Sequence, residues 1–506
     1  MIHRSSFSVL RPLSLALAAS ALALSVLAAP GGAQEATRPP GSLTLEQALA
    51  LAEGRSEQID LADAAVQRAR SGQRRALAAR LPQVTGTAGY TRTLESQFRG
   101  AFGGSTASCP KFVPDPGLPL EQRLDSLETA FACGPQPSDG GGIDFSQVGF
   151  GSVNAFNLGL GVSWELVGGG RLAAQARAAD QARTQADLAL EAAHAQLVLD
   201  VTQAFYDAQL GERMLQIAEA SLEQAEAVLQ QTTHEEQVGA QARFEVLRAR
   251  VARDNQRPVV IRQRAARDVA LFRVKQILGV PLEEPLALSG DLEQAAAQRA
   301  HPADVPATER GAVRQALAAL DAQESQLQAT SAQRLPSISL TSQYGRVAYP
   351  ADLSPNWSQF RSNWTVGLAL SVPLFTGGRI GADVSAAEAG VREARARYQQ
   401  TRKQAALDSY QAEAALDAAL AAWDASSGTV EQAEQAYDIA VLRREEGLST
   451  QLEVTDARNL LQQARANRAQ AARDLLVAQT RLRLIPDLPV GASGQGAPAT
   501  SQGGSS

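Results

Sequence analysis

The sequence predicts a mainly α fold with a small β part: internally duplicated long helical hairpins, with two strands attached to each copy. Three observations carry this expectation. The composition is rich in Ala, Gln, Arg, Glu and Leu and only 5% aromatic, the balance of extended helical proteins rather than compact enzymes. Two proline-free stretches of about 67 residues, Arg171 to Val238 and Ile380 to Glu446, are each long enough for one near-continuous helix. The segment LVGGGRLAA at 166–174 returns as LFTGGRIGA at 374–382, placing Arg379 208 residues after Arg171.

Residues 1–33 read as a secretory signal peptide. His3, Arg4 and Arg11 precede an apolar run from about Leu13 to Ala29, followed by the small residues Gly31-Gly32-Ala33. A membrane anchor is the alternative, but the run is short for a span and rich in Ala. No run of 18 apolar residues follows it, so strands are the only way the mature chain would occupy a membrane. Residues 34–42 form a linker to the first repeat, 43–288.

Within that repeat a helix precedes a strand at about 83–95, which starts in LPQVTGTAGY. The second strand, about 153–167, alternates Phe156, Leu158, Leu160, Val162, Trp164 and Leu166 with small or polar residues. A helical hairpin, 171–279, completes the copy and turns at Val238-Gly239-Ala240. The second repeat, 291–486, has strands at about 337–348 and 362–375, with Trp364, Val366, Leu368, Leu370, Val372 and Leu374 in the same phase. Its hairpin, 380–484, turns at Gly447-Leu448-Ser449, and VGAQARFEVLRAR at 238–250 falls on EGLSTQLEVTDAR at 446–458. Residues 487–506, rich in Gly, Ser, Ala and Pro, read as a disordered tail.

The strand start LPSISLTSQY at 335–344 lies 254 residues after its first-copy match, so the first copy carries 46 extra residues between its strands. That insertion, about 96–150, reads as a long surface loop and holds the two cysteines, Cys109 and Cys133. In an exported chain the pair would close a disulfide contributing roughly 3 kcal/mol; two separate loop thiols are the alternative. Without neighbouring histidines they make no zinc site.

Each strand has a large apolar face and a face of Gly, Ala, Ser, Thr and Asn. A soluble sandwich would need a second sheet on the apolar face, and four strands scattered among helices supply none. In an outer-membrane barrel that face meets lipid and the small polar face lines the lumen. Barrels need about eight strands, so closure requires several chains. At 1.5 Å per residue each long helix would reach roughly 100 Å, well beyond a bilayer.

Chemistry is conspicuous by its absence. The histidines have no metal-ligand spacing, and no GxSxG or P-loop pattern occurs, so the sequence predicts no catalytic residue, no cofactor and no metal. Gly168-Gly169-Gly170 follows a strand and opens a helix, but a phosphate cradle belongs to a buried parallel sheet, not to alternating strands. The net charge of -6, without Lys/Arg runs, points away from nucleic acid.

Taken together, LTLEQALALA at 43–52, the paired LP strand starts, the paired Gly-Gly-Arg corners (Gly169, Gly170, Arg171; Gly377, Gly378, Arg379) and the paired glycine turns ending in Glu-Val resemble the outer membrane efflux proteins, the TolC family. The resemblance covers about 43–486. It implies a homotrimer whose twelve strands close a barrel in outer-membrane lipid and whose helices continue as an α-barrel across the periplasm. It also implies a duct that receives substrate from a periplasmic adaptor and an inner-membrane pump or ABC transporter. In such proteins the turns at Val238-Gly239-Ala240 and Gly447-Leu448-Ser449 are the adaptor-docking tips. Acidic residues past the second turn line the constriction; the matching positions are Glu453 and Asp456, with Glu245 in the first copy. Glu453 and Asp456 share a helical face; a solvated face paired with Arg458, Arg443 or Arg444 is the alternative. Arg248 stands where the first copy would match Asp456, so only one copy supplies both carboxylates. A periplasmic or secreted coiled-coil scaffold is the competing non-catalytic reading of the whole chain.

Overall fold

A computed structural model of the chain describes residues 42–95, 115–132, 152–298, 310–350 and 352–491. The expected signal peptide, Cys109 and Cys133 lie outside the described residues; of the tail expected at 487–506, residues 487–491 are described, with Leu488 buried, and the rest lies outside them.

Each copy opens with a short helix built on the same string. In α1 (Leu45–Glu53) Thr44 accepts from the Gln47 amide, and the Gln47 side chain returns a bond to the Thr44 amide, a complete capping box. In α6 (Leu292–Ala297) the residues Leu-Glu-Gln-Ala recur, and Asp291 caps the Gln294 amide at 2.8 Å. A second helix follows in each copy, α2 (Glu57–Ala78) and α7 (Gly311–Ser331).

The strands are β1 (Gln83–Arg92), β2 (Asn154–Val167), β3 (Ser337–Ala348) and β4 (Arg361–Ser371). They form one antiparallel sheet in the order β1-β2-β3-β4, so the two copies join at the β2–β3 seam. β1 ends at Arg92 rather than about 95, and β4 ends at Ser371 rather than 375. Pro373 lacks the amide a ladder needs, which stops β4 despite the continuing apolar alternation through Leu374. The long insertion contains a helix, α3 (Leu120–Ala132), in a segment the sequence presents only as a loop.

The long helices are α4 (Arg171–Gln237) and α8 (Arg379–Glu445), each 67 residues and therefore about 100 Å. Their return helices are α5 (Arg243–Ile277) and α9 (Gln451–Leu484). α4 packs along α5, α7, α2 and α9, while α8 packs along α9 and α7. Alanine is the commonest buried residue at these contacts and lets the backbones approach closely; Gly211 lies against Arg267, where an added Cβ would come within 3.1 Å of its Cα.

The main apolar cluster sits at a waist partway along the helices. Leu197, Val201 and Phe205 of α4 meet Leu416 and Trp423 of α8 and Leu475 of α9 there, beneath α1 and α6. Leu43 pairs with the connection between the copies, its amide donating to Ala287 at 2.9 Å and its carbonyl accepting from Ser289 at 2.9 Å. The two copies are thereby fastened at the sheet and at the waist.

Candidate functional site

The first candidate is the sheet itself. Register places Val84, Val162, Ser342 and Val366 in one row on one face, and Gly86, Leu160, Tyr344 and Trp364 in the next. On the opposite face Thr85, Gly161, Gln343 and Thr365 share a row, as do Thr87, Gly159, Gly345 and Asn363. No helix among the described residues packs along either face, and the apolar side is left bare, with Trp364 and Leu368 each 71% exposed. A bare apolar face of this extent is a surface made to be covered. Aromatics gather toward both ends: Trp164 near the helix-proximal end, its indole donating to Arg80 O at 2.9 Å, and Tyr90 against Phe156, 4.7 Å between centroids, at the other.

The strand-to-helix corners are built alike. Gly169 and Gly377 both have φ of 60°, and Gly170 and Gly378 have φ of 83° and 84°, a left-handed region that favours glycine. At the first corner a Cβ on Gly169 would also lie 2.8 Å from Leu335, whereas one on Gly377 would meet nothing. The arginines diverge. Arg171 forms an ion pair with Glu165 of β2, while Arg379 pairs with Asp383 one turn along its own helix at 3.0 Å.

The hairpin tips repeat one backbone device. The Gly239 amide donates to Glu236 O and the Ala240 amide to Glu235 O at 2.9 and 2.8 Å; Gly447 and Leu448 donate equivalently to Arg444 and Arg443 at 2.9 and 2.7 Å. This is the Schellman arrangement, with glycine at the left-handed position in both (φ 76° and 72°). Val238 and Leu448 are exposed at the ends, and Ser449 Oγ donates to Ala440 O at 3.2 Å. Glu235 and Arg444, 3.3 Å apart, bridge the ends of α4 and α8.

Just past the second tip, Thr450 caps α9 by accepting from the Glu453 amide. Glu453 and Asp456 lie on the exposed side of α9, opposite the buried Val454, Ala457 and Leu461. Among the described residues neither carboxylate has an ion-pair partner: Arg458 is buried at 6% exposure, and Arg444 is engaged with Glu235. Burial pushes the Arg458 guanidinium down from its usual range, opposed by Tyr437. Glu245 holds the same third position in α5, but Ala242 supplies no side-chain cap there, and Glu245 Oε2 is buried without a partner.

A polar clamp at the waist has no counterpart among the residues that the sequence singles out. Arg310, 1% exposed, donates to the carbonyls of Ala405, Ile485 and Leu488 at 2.7, 3.0 and 3.3 Å and lies 3.8 Å from Asp408. Asp408 also accepts from Gln404 at 2.8 Å and from the Gly491 amide at 2.8 Å. Its first-copy equivalent, Asp200, keeps the bond from Gln196 but faces a cavity of about 780 Å³ that Arg273 and Arg481 also line. Burial raises the Asp200 pKa, against the lowering effects of Gln196 and Arg273. The signal available in the sequence is the repeated Gln-x-x-x-Asp at 196–200 and 404–408.

Among the described residues no group of His, Cys, Asp or Glu could hold a metal ion, and no helix is long and apolar enough to cross a membrane.

Comparison with known proteins agrees with this geometry. Residues 136–280 and 307–485 match the family described as outer membrane efflux protein. Nodulation protein T of Rhizobium leguminosarum bv. viciae is 22% identical over 393 residues, covering 73% of this chain and 79% of that protein. Cation efflux system protein CusC of Escherichia coli is 26% identical over 252 residues, covering 49% of this chain and 54% of the relative. The crystal structure of the Campylobacter jejuni CmeC outer membrane channel superposes with a TM-score of 0.68 at 18% identity, over 88% of this chain and 86% of that one. The match spans both copies and most of the described fold, and the chain belongs to the outer membrane efflux protein family.

Proposed function

We propose that three copies of this chain close a twelve-stranded barrel in the outer membrane and continue as a helical tube through the periplasm. The assembly is a passive exit duct for an efflux or type I secretion system. The observation that carries this reading is a four-stranded antiparallel sheet with no helix on either face, whose strands β1 and β4 each leave their outer edge unpaired among the described residues. Exposed edges and a bare apolar face are both costly in water, and both costs vanish when β4 of one copy pairs with β1 of the next inside a bilayer. Because each copy contributes an even number of alternating strands, every such junction is antiparallel.

The tips at Val238, Gly239, Ala240 and at Gly447, Leu448, Ser449 are the docking points for a periplasmic adaptor, which couples the duct to an inner-membrane pump or ABC transporter. Glu453 and Asp456, exposed and unpaired beside the second tip, line the constriction, with Glu245 as the lone first-copy carboxylate. Three copies would set six carboxylates around a narrow opening and favour cations there.

The test is fractionation of expressed, processed protein. The duct reading expects it in outer membranes, and light scattering in detergent should give three chain masses. A soluble monomer, released without detergent, would support the coiled-coil scaffold instead.

A further inference from the structure

On the apolar face of the sheet, near the end remote from the helices, lies a groove of about 480 Å³. Gly86 and Ala88 of β1 and Gly159 of β2 form its floor, and Leu158, Leu160, Tyr344 and Trp357 form its walls. One charged group stands at its rim: Arg346, on the same face as Leu158 and Ser362 by register. Its Nε donates to Tyr344 Oη at 3.0 Å, and its Cζ lies 4.9 Å from the centre of the Trp357 ring. No carboxylate among the described residues pairs with it.

An arginine on a lipid-facing surface is costly at mid-bilayer and tolerated near the interface. Arg346 is nine residues along β3 from Ser337, roughly 30 Å of strand at about 3.3 Å per residue. With a barrel-strand tilt of about 40°, that climb is comparable to the apolar band of about 25 Å, which puts the guanidinium at headgroup depth on the far side. Tyr344 and Trp357 beside it have the amphipathic character suited to that boundary.

We infer that this groove binds a phosphorylated lipid of the outer leaflet, one acyl chain lying over Gly86 and Ala88 and the phosphate held by the Nη groups of Arg346. The chemistry is matched at both ends: the channel is apolar and opens toward hydrocarbon, and the unpaired fork at its rim suits a phosphate's oxygens. Tyr344 and Trp357 hold that fork in place, so little side-chain freedom is lost on binding. The inference rests on the barrel reading, because it requires this face to meet lipid.

The test is native mass spectrometry of the detergent-purified trimer titrated with phosphorylated lipid A, with the dephosphorylated lipid, and with inorganic phosphate. The wild type should take up to three phosphorylated lipids per trimer, about tenfold more tightly than the dephosphorylated form, and inorganic phosphate should not displace them. Arg346→Gln should erase the preference for phosphate. A Cβ on Gly86 meets no atom within 4 Å, so Gly86→Leu should leave the sheet intact, fill the groove and abolish uptake of both lipids. Trimers of either variant that bind as the wild type does, or displacement by inorganic phosphate alone, would overturn the inference while leaving the duct intact. A wild type recovered as a soluble monomer would instead remove the barrel reading beneath it.

Discussion

Arg310 shows how much one buried side chain can hold. It joins the start of α7, the middle of α8 and the segment after α9 through three carbonyls and Asp408. Burial lowers its pKa, with Asp408 opposing, and the guanidinium stays charged because its ordinary value is so high. Arg310→Met would strand those carbonyls in the interior and take the guanidinium away from the buried Asp408, a loss of about 3–5 kcal/mol. Circular dichroism on heating should show the helices melting earlier, and adding Asp408→Asn should recover part of the loss. Glu453 and Asp456 pose the opposite case, since they are exposed and have no ion-pair partner among the described residues, and removing them should cost little stability. In planar bilayers the double variant Glu453→Gln, Asp456→Asn should shift the cation-to-anion permeability ratio toward one; an unchanged ratio would reduce the pair to surface charge. Glu453 also occupies the third position of a helix capped by Thr450, so part of its value is local, through the helix N-terminus.

Corners and turns are where the sequence is most informative about its own elements. Gly-Gly-Arg after alternating strands leaves little choice but a left-handed backbone, and the glycines of both corners adopt the same φ within a degree. They differ in what surrounds them, which yields a graded expectation. Gly377→Ala should cost about 1–2 kcal/mol, the price of a left-handed residue with a side chain. Gly169→Ala should cost more, because its Cβ would also lie 2.8 Å from Leu335 and 3.1 Å from Ala332 O. Equal effects on the thermal stability of the two variants would contradict that packing argument. The strands and long helices were equally legible, since period-two alternation and proline-free Ala-rich runs are direct readouts of backbone periodicity. The waist clamp was not. Arg310 resembles any surface arginine until α8 and the segment just after α9 fold over it, because burial of a single charge is decided by contacts far apart in sequence. β4 stops short of its own alternation for a simpler reason: the side-chain pattern runs on through Leu374, but Pro373 cannot supply the ladder amide. Arg346 carries no signal of its own within its strand, because its placement beside Trp357 depends on the following connection.

At the scale of the whole molecule, one chain is an unfinished object. Among the described residues its sheet has two open edges and no covering helix, while its helices are joined at a waist and at the tips, where Glu235 meets Arg444. The duplication explains the shape: each copy supplies two strands and one hairpin, and the β2–β3 seam inside the chain is the pairing that β4 and β1 would repeat between chains. The central claim is therefore edge-to-edge closure of three copies. The direct measurement is a cysteine scan of β1 positions 84–90 against β4 positions 363–370, in a background with Cys109→Ser and Cys133→Ser, oxidised in isolated outer membranes. The account predicts that pairs in one antiparallel register cross-link into a ladder that stops at three chains. Absence of any cross-link between the edges in membranes that contain the protein, or a ladder that ends at another number, would contradict it.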